Sequence, residues 1–311
     1  MTLQQLRYLI AIAESGSINK AARSLYVSQS NLSTAVSELE RELGITIFSR
    51  SNRGVTLTND GAEFLRYARQ VAEQVDILEA RYSHKETSDL RLNVSTQHYA
   101  FSLLAFIATV DQCEGDEYDF TLRECCTDEL IEDVRTFRSD IGILYMDDYN
   151  RHALEKVLAD AGATFHPLFD AHVHVFVGEH HPLAKADLLT LDDLAPYPRY
   201  AFEQGTINSF FYSEEPFSYL PHRKNIRFSD RGTLTNLLTS HNGFTLSTGV
   251  LSAEMQEGIA SIPLDTEQVM RVGYIMHDER RATPLLDRYI TELKRIIADY
   301  PGVEVAEDVG A

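Results

Sequence analysis

Amide and hydroxyl side chains cluster in the stretch VSQSNLST, between Val27 and Thr34. Such groups donate and accept hydrogen bonds, so a row of them on one helix face can read the edges of base pairs. They carry no charge and would therefore release few counterions from a phosphate backbone. The candidate base-reading residues are Gln29, Ser30, Asn31, Ser33 and Thr34.

Two arginines follow this cluster at a predicted turn. Arg50 ends the apolar run ITIFSR, and Arg53 lies in the loop sequence Asn52-Arg53-Gly54 before VTLT. This order of residues is typical of a β-hairpin with a short loop. Arginines on such a hairpin could contact phosphates or the minor groove beside a DNA-reading helix.

Apolar spacing predicts the elements that would position these side chains. Residues 3–14 have helical periodicity and stop at Gly16, Ser17 caps a second short helix, and residues 29–43 form a third that stops at Gly44. Two short helices joined by a tight turn match the helix-turn-helix pattern, in which the second helix enters the major groove. Spacing alone leaves open a small helical subdomain with a surface hairpin.

The net charge of −19 is unevenly distributed along the 311 residues. Residues 1–60 hold six Lys or Arg against five Asp or Glu, a balance of +1, which leaves −20 for the rest of the chain. Because charge acts through its local distribution, the acidic total does not exclude a polyanionic partner for the first segment.

Residues 59–83 predict a long helix with a narrow apolar stripe, and the polar residues 84–89 predict a hinge after it. The stripe steps by four and three residues, as in a coiled coil, which buries it against a partner helix. We expect dimerisation through this stripe, although a helix packed on its own domain would show a similar pattern. The stripe consists of Phe64, Ala68, Val71, Val75, Leu78 and Tyr82.

Beyond the hinge, short β patterns such as LRLNVST and DIGILY alternate with helical ones. This alternation favours parallel sheets with helices on both faces, where ligands bind beyond the carboxyl ends of the strands. Neither a glycine-rich phosphate loop nor a GxSxG motif occurs. His172 and His174 have no companions at metal-ligand spacing, so we expect no metal and no cofactor.

Three cysteines, Cys113, Cys125 and Cys126, raise the question of redox sensing. Adjacent cysteines rarely reach disulfide geometry without strain, and buried thiols usually act as small apolar residues. So sparse and odd a set also fits a reducing cytoplasm.

The first sixty residues closely resemble the winged helix-turn-helix of LysR-type transcriptional regulators. The shared pieces are LRYL, the paired alanines of the second helix, VSQS.LS, LE.ELG, and F.R followed by LT..G. The resemblance implies that residues 1–58 bind operator DNA through the groove-facing and hairpin residues named above. Family members commonly have Pro at the position of Ser30 and a basic residue near positions 34–37. Both are missing here, so we expect an unusual sequence preference and salt dependence.

A weaker resemblance continues through SDIGILY, HPLA, LTLDDLAPYPRY and GFTLST. It implies an effector-binding domain at 90–311, built like a periplasmic binding protein from two α/β subdomains around a cleft. The first subdomain would comprise residues 90–163 and 266–311, and the second residues 164–265. The resemblance further implies a small-molecule effector and a homodimer or a tetramer made of two dimers.

Strand-to-helix junctions supply the candidate effector contacts. Free N–H groups at helix starts favour an anionic ligand, whereas Glu203 suits a cationic or hydroxyl-rich one. Simpler interpretations exist, because Thr127 could be a plain helix cap and His98 a surface residue. The candidates are Thr96, Gln97, His98, Thr127, Phe202, Glu203, Gln204 and Thr248.

The sequence leaves three rivals to an effector-controlled regulator: a solute-binding protein without a DNA role, an enzyme that uses the cleft, and a redox-responsive or effector-independent regulator. The N-terminus has no secretory signal pattern, which disfavours the first, and no nucleophile and base converge, which disfavours the second. No apolar run is long enough to cross a bilayer. We therefore expect a cytoplasmic, non-enzymatic protein with no membrane partner.

Overall fold

The computed structural model describes residues 1–51, 54–83, 90–114, 117–205, 209–251, 257–300 and 303–306. They form two compact units, Met1–Ser88 and Asp89–Ala311. Within these ranges, no helix is both long enough and apolar enough to span a membrane. The predicted hinge at residues 84–89 lies outside the described residues.

The N-terminal unit has the predicted helices and hairpin. Its elements are α1 (Leu3–Ser15), α2 (Ile18–Ser24), α3 (Gln29–Leu43), β1 (Phe48–Ser51), β2 (Gly54–Leu57) and α4 (Asn59–Ser83). The side chains of Thr2, Ser17 and Ser28 accept backbone N–H groups at the starts of the first three helices. Gly16 and Gly44, both in the left-handed conformation, end α1 and α3. The prediction of a winged helix-turn-helix is confirmed.

A hydrophobic core holds these helices together. Its best-buried side chains include Leu9, Ile12, Leu32 and Leu39. The carboxylate of Glu40 accepts hydrogen bonds from the N–H groups of Ile47 and Phe48 at 2.7 and 3.0 Å, which ties α3 to the start of the hairpin. At the start of α4, a Cβ on Gly61 would lie 2.1 Å from the carbonyl oxygen of Ile47. Only glycine permits this close approach between α4 and the hairpin.

The C-terminal unit is built from two sheets with helices around them. Its strands are β3 (Leu90–Thr96), β4 (Tyr118–Glu124), β5 (Ile141–Met146), β6 (Ala163–His172), β7 (His174–Gly178), β8 (Arg199–Phe202), β9 (Asn225–Phe228), β10 (Phe244–Ser247), β11 (Ile259–Pro263), β12 (Val269–His277) and β13 (Val303–Val305). Its helices are α5 (Ala100–Asp111), α6 (Thr127–Arg135), α7 (Arg151–Asp160), α8 (Leu191–Leu194), α9 (Arg231–Ser240) and α10 (Pro284–Ala298).

Both sheets are mixed, whereas the alternating pattern predicts parallel ones. The first has the order β13-β6-β12-β5-β3-β4, and the second β11-β7-β10-β8-β9. In the first sheet β3 is parallel to β4 and β5, but β12 returns antiparallel between β5 and β6. In the second sheet β8, β9 and β10 are parallel, whereas β7 and β11 are antiparallel to the neighbours they pair with.

The boundary between the subdomains differs from the sequence-based one. Residues 164–172, assigned by sequence to the second subdomain, belong to β6 in the first sheet because β6 pairs with β12 along its length. Only Val173 separates β6 from β7. The carbonyl of Val173 accepts the N–H of Leu264 at 3.0 Å, so the two passages between the sheets run side by side.

Candidate functional site

The exposed face of α3 carries the predicted base-reading residues. Burial of Leu32, Val36 and Leu39 fixes the rotation of this helix against the core. Gln29, Ser30, Asn31 and Thr34 are exposed as a result, and Ser33 is half-buried. The arrangement leaves uncharged hydrogen-bonding groups on the first turns of the helix, which suits contact with base edges. Their contact with DNA remains a prediction.

Tyr26, which the sequence did not single out, occupies the turn just before α3. Its side chain is 97% exposed and its φ is 57°, in the left-handed region that favours glycine. A large exposed ring at this turn is available for a ligand that approaches α3. Nothing in the apolar spacing indicates it, because turn residues do not contribute to that pattern.

The hairpin arginines are only partly described. Arg50 pairs with Val55 across the β1–β2 ladder. The side chain of Arg50 and the whole of Arg53 lie outside the described residues. Their predicted contacts with the DNA backbone remain predictions.

Part of the apolar stripe of α4 packs in the N-terminal core, and part of it is exposed. Ala68 is buried in the N-terminal core, together with Leu65, which the sequence missed. Val71 and Leu78 remain 49% and 54% exposed. Phe64 and Val75 are half-buried, and the side chain of Tyr82 lies outside the described residues. One edge of the stripe is therefore used within the unit, and the other stays open.

The C-terminal unit contains a cavity of about 360 Å³. It lies where the turn between β3 and α5 meets α9 and the strands of the second sheet. This volume, with mostly apolar walls and a few polar groups, is typical of a small-molecule site. Its apolar lining includes Phe176, Phe202, Leu234, Leu238, Leu246 and Ile259.

His98 and Phe202, both predicted from sequence, come together on the wall of this cavity. Their rings are stacked, with centroids 3.8 Å apart and an angle of 7°. The Nδ1 atom of His98 is 2.8 Å from Oε2 of Glu214, and the His98 backbone N–H donates to the same oxygen at 3.1 Å. Burial of the imidazole opposes its protonation, but the hydrogen bond and charge of Glu214 outweigh burial and raise the pKa of His98.

Three lining residues have side-chain oxygens without a hydrogen-bond partner among the described residues: Tyr99 Oη, Glu214 Oε1 and Glu215 Oε2. Glu214 and Glu215 are only 6% and 4% exposed. The other oxygen of Glu215 accepts the Phe202 N–H at 2.8 Å. Burial, and then the charge of Glu214, raises the pKa of Glu215 to about 8. Burial also raises the pKa of Tyr99 well above its ordinary value, so its hydroxyl stays protonated.

Three other predicted contacts form a sealed hydrogen-bonded chain instead. Thr96, Gln97 and Thr127 are fully buried, and none of them lines the cavity. Gln97 Nε2 donates to Thr127 Oγ1, which donates to the carbonyl of Tyr212, both at 2.7 Å. The Gln97 side-chain carbonyl accepts the Tyr145 N–H at 3.0 Å. This chain supports the wall behind His98. Thr127 is the first residue of α6, and its hydroxyl makes no cap.

The remaining candidates lie elsewhere. Thr248 is buried, and its hydroxyl accepts the Val250 N–H at 3.3 Å. Glu203 and Gln204 line a second cavity of about 310 Å³, which shares Phe202 and Glu215 with the first. Two arginines, Arg199 and Arg227, also line it.

Sequence reasoning missed Tyr99, Glu214 and Glu215, the most unusual polar groups of the cavity. The pair of glutamates lies in a long connection between β8 and β9, where adjacent acids normally face solvent. No local signal marks them as buried, since Glu214 pairs with a residue 116 positions away.

The cysteines have the chemistry of buried thiols. Burial raises the pKa values of Cys125 and Cys126 to about 12, so neither forms much thiolate at neutral pH. Cys113 is half-buried two residues after the end of α5, and its Sγ lies 3.3 Å from the carbonyl of Thr109. Within the described part of the chain, no group of three His, Cys, Asp or Glu side chains is arranged to hold a metal ion.

A helix-turn-helix unit followed by a two-subdomain unit with a ligand-sized cavity defines a class of ligand-responsive DNA-binding proteins. A family model described as a bacterial regulatory helix-turn-helix protein of the lysR family matches residues 3–62, and the LysR substrate binding domain matches residues 95–298. The chain therefore belongs to the LysR family. It is a DNA-binding transcriptional regulator with an effector-binding domain.

One curated relative aligns with this chain over nearly its whole length, and another over less than a third of it. The hydrogen peroxide-inducible genes activator of Haemophilus influenzae is 26% identical over 295 residues, covering 93% of this chain and 94% of that protein. The regulator ClcR of Pseudomonas putida is 41% identical over 95 residues, but over only 30% of this chain and 32% of that protein. These relatives are transcription regulators.

Solved structures of the family have the same fold. A cysteine mutant of Corynebacterium glutamicum OxyR has a TM-score of 0.51 and 23% identity, over 96% of this chain and 93% of that one. A point mutant of full-length BenM has a TM-score of 0.50 and 19% identity, over 99% of this chain and all of that one.

Proposed function

We propose that this chain is a homo-oligomeric regulator that contacts its operator through α3 and the hairpin and responds to a small molecule in the 360 Å³ cavity. The observation that carries the proposal is the set of buried oxygens without partners on Tyr99, Glu214 and Glu215. Burying polar groups without partners costs stability, so a fold that retains them in a cavity is suited to a ligand that supplies the missing hydrogen bonds.

The exposed edge of α4 supports a homodimer. Val71 and Leu78, the exposed residues of the stripe, are spaced seven residues apart, which is the repeat of a coiled-coil seam. A dimer joined there would present two copies of α3 to half-sites about one duplex turn apart. Pairing of two such dimers would give the tetramer that the family resemblance implies.

Contacts between the two subdomains supply a route for the response. Arg231 at the start of α9 pairs with Glu124 at the end of β4 at 2.6 Å, and His98 pairs with Glu214. A ligand that binds one arrangement of the subdomains better than another shifts the population toward it. The effector would act in this way on the geometry of the DNA-binding units.

Peroxide sensing is the alternative suggested by the name of the Haemophilus relative. The thiols of Cys125 and Cys126 do not favour it, because a pKa of about 12 leaves almost no reactive thiolate. We propose effector control without redox chemistry or catalysis, and we propose the cytoplasm as the site of action, where operator DNA is available.

A metabolite thermal-shift screen of the full chain tests the effector site. Leu234→Trp should fill the cavity, whereas Asn236→Trp places the same ring on an exposed position of α9 outside the lining. A true effector should stabilise the wild type and the Asn236→Trp variant but not the Leu234→Trp variant. It should also change the affinity for a selected operator fragment. Equal stabilisation of all three proteins would remove the cavity from the proposal.

A further inference from the structure

The cavity has an excess of acidic groups. Glu214 and Glu215 are buried in its lining, and Glu257 is an exposed lining residue. Arg231 is the only lysine or arginine among the lining residues described, and Glu124, outside the lining, pairs with its guanidinium at 2.6 Å. With Arg231 paired to Glu124 and His98 paired to Glu214, Glu215 and Glu257 are the acidic lining groups left for a ligand, which favours a cation over an anion.

The number of available acceptors also indicates the type of cation. Tyr99, Glu214 and Glu215 each contribute one buried oxygen without a partner among the described residues. A primary ammonium group has three N–H donors and no acceptor, so it can satisfy three oxygens at once. Phe176 adds an aromatic ring to the wall, and the faces of such rings attract cations. One face of Phe202 is already covered by His98.

We propose, on the basis of the effector cavity described above, that the effector is an organic cation with a primary ammonium group on a compact apolar body. The ammonium binds between the carboxylates of Glu214 and Glu215 and the hydroxyl of Tyr99. The apolar body lies against the aromatic and aliphatic wall formed by the second sheet and α9. An anionic ligand of the same shape is disfavoured, because it would lie beside the Glu214 carboxylate and could not replace the proton on Glu215.

Binding should be coupled to loss of a proton. In the empty cavity the pKa of Glu215 is raised to about 8, so its carboxyl is largely protonated at neutral pH. Besides Glu214, the groups that act on this carboxyl are the phenols of Tyr99 and Tyr145, the backbone N–H of Phe202 and the guanidinium of Arg199. An ammonium ion stabilises the ionised form, so its affinity should rise with pH toward 8 and then level off.

Three probes of matched shape test this inference on the full chain: phenethylamine hydrochloride, 2-phenylethanol and sodium phenylacetate. Isothermal titration calorimetry and thermal shift should rank the amine first and phenylacetate last. The amine should bind at least about tenfold more tightly than phenylacetate, since one lost charged hydrogen bond alone is worth about that factor. Its affinity should increase between pH 6 and pH 8, about the range over which Glu215 ionises.

Glu215→Gln keeps the size of the side chain and should weaken amine binding about tenfold and abolish its pH dependence. Glu214→Gln provides a second variant, and Glu203→Gln, an exposed glutamate of the second cavity, is the matched control. The inference fails if phenylacetate or 2-phenylethanol binds as tightly as the amine, if none of the probes binds, or if Glu215→Gln leaves amine affinity unchanged. The effector cavity itself would survive those results if the Leu234→Trp screen still identified a ligand.

Discussion

Replacing Glu215 by glutamine should stabilise the C-terminal unit, and by more at high pH than at low pH. The folded protein raises the pKa of this carboxyl to about 8, against 4.5 for an ordinary glutamate. Between these values the folded state holds a proton that the unfolded chain has released. The free energy of unfolding is therefore unaffected by this group below pH 4.5. It falls as the pH rises from 4.5 to 8, and it levels off above pH 8.

The size of the effect follows from the distance between the two pKa values. The two pKa values differ by about 3.5, and one pKa unit corresponds to about 1.4 kcal/mol. Above pH 8, Glu215 therefore lowers the free energy of unfolding by at most about 5 kcal/mol. At pH 7, which is about 2.5 units above the ordinary pKa, the free energy of unfolding is lowered by about 3 kcal/mol. Glutamine carries no titrating proton, and its carbonyl can still accept the N–H of Phe202. The variant avoids the cost at every pH.

Differential scanning calorimetry of the full chain from pH 5 to pH 9 measures this difference. At pH 5 the two proteins should melt at nearly the same temperature. At pH 9 the Glu215→Gln variant should melt roughly 10 °C higher in the transition of the C-terminal unit. Glu203→Gln, at an exposed position, should show no such trend. A difference between variant and wild type that does not change with pH would refute the buried, proton-holding carboxyl.

Three further predictions concern the N-terminal unit. Gln29→Ala should reduce the discrimination between bases at one operator position by about 1–3 kcal/mol of binding free energy. Arg50→Ala should weaken binding to all DNA sequences and reduce the slope of log affinity against log salt by about one. Fluorescence anisotropy at several salt concentrations measures both effects. Leu78→Asp should halve the mass of the smallest oligomer in light scattering, because it places a charge in the proposed seam; an unchanged mass would exclude this edge of α4. Gly61→Ala should destabilise the unit by about 1–3 kcal/mol in chemical denaturation, since the new methyl would meet a carbonyl oxygen at 2.1 Å.

Local sequence signals were sufficient to predict the fold of the N-terminal unit. The caps at Ser17 and Ser28, the glycine stops and the apolar spacing of α3 all act within a few residues, so they can be read from the chain. Together with the family resemblance, they predict both the fold and the exposed face of α3.

Long-range contacts limited the prediction of the cavity. The sequence placed Thr127 at a strand-to-helix junction but could not show that Gln97, thirty residues away, would bury its hydroxyl. It could not reveal that Glu214 pairs with His98 across 116 positions. The stripe of α4 shows the same limit. Its periodicity identifies an apolar face, but it does not show which edge of that face packs within the N-terminal unit and which edge stays exposed.

The central place of β12 in its sheet has a consequence for how the protein is made. β5 and β6 pair with β12 on either side, and β12 begins only at Val269. During translation, these two strands have already been synthesised while their shared neighbour has not. The nascent chain therefore carries unpaired β edges until β12 is added, and such edges promote aggregation. Chains terminated prematurely before residue 269 should aggregate rather than yield a smaller working sensor, so this domain cannot complete its first sheet until β12 has been synthesised.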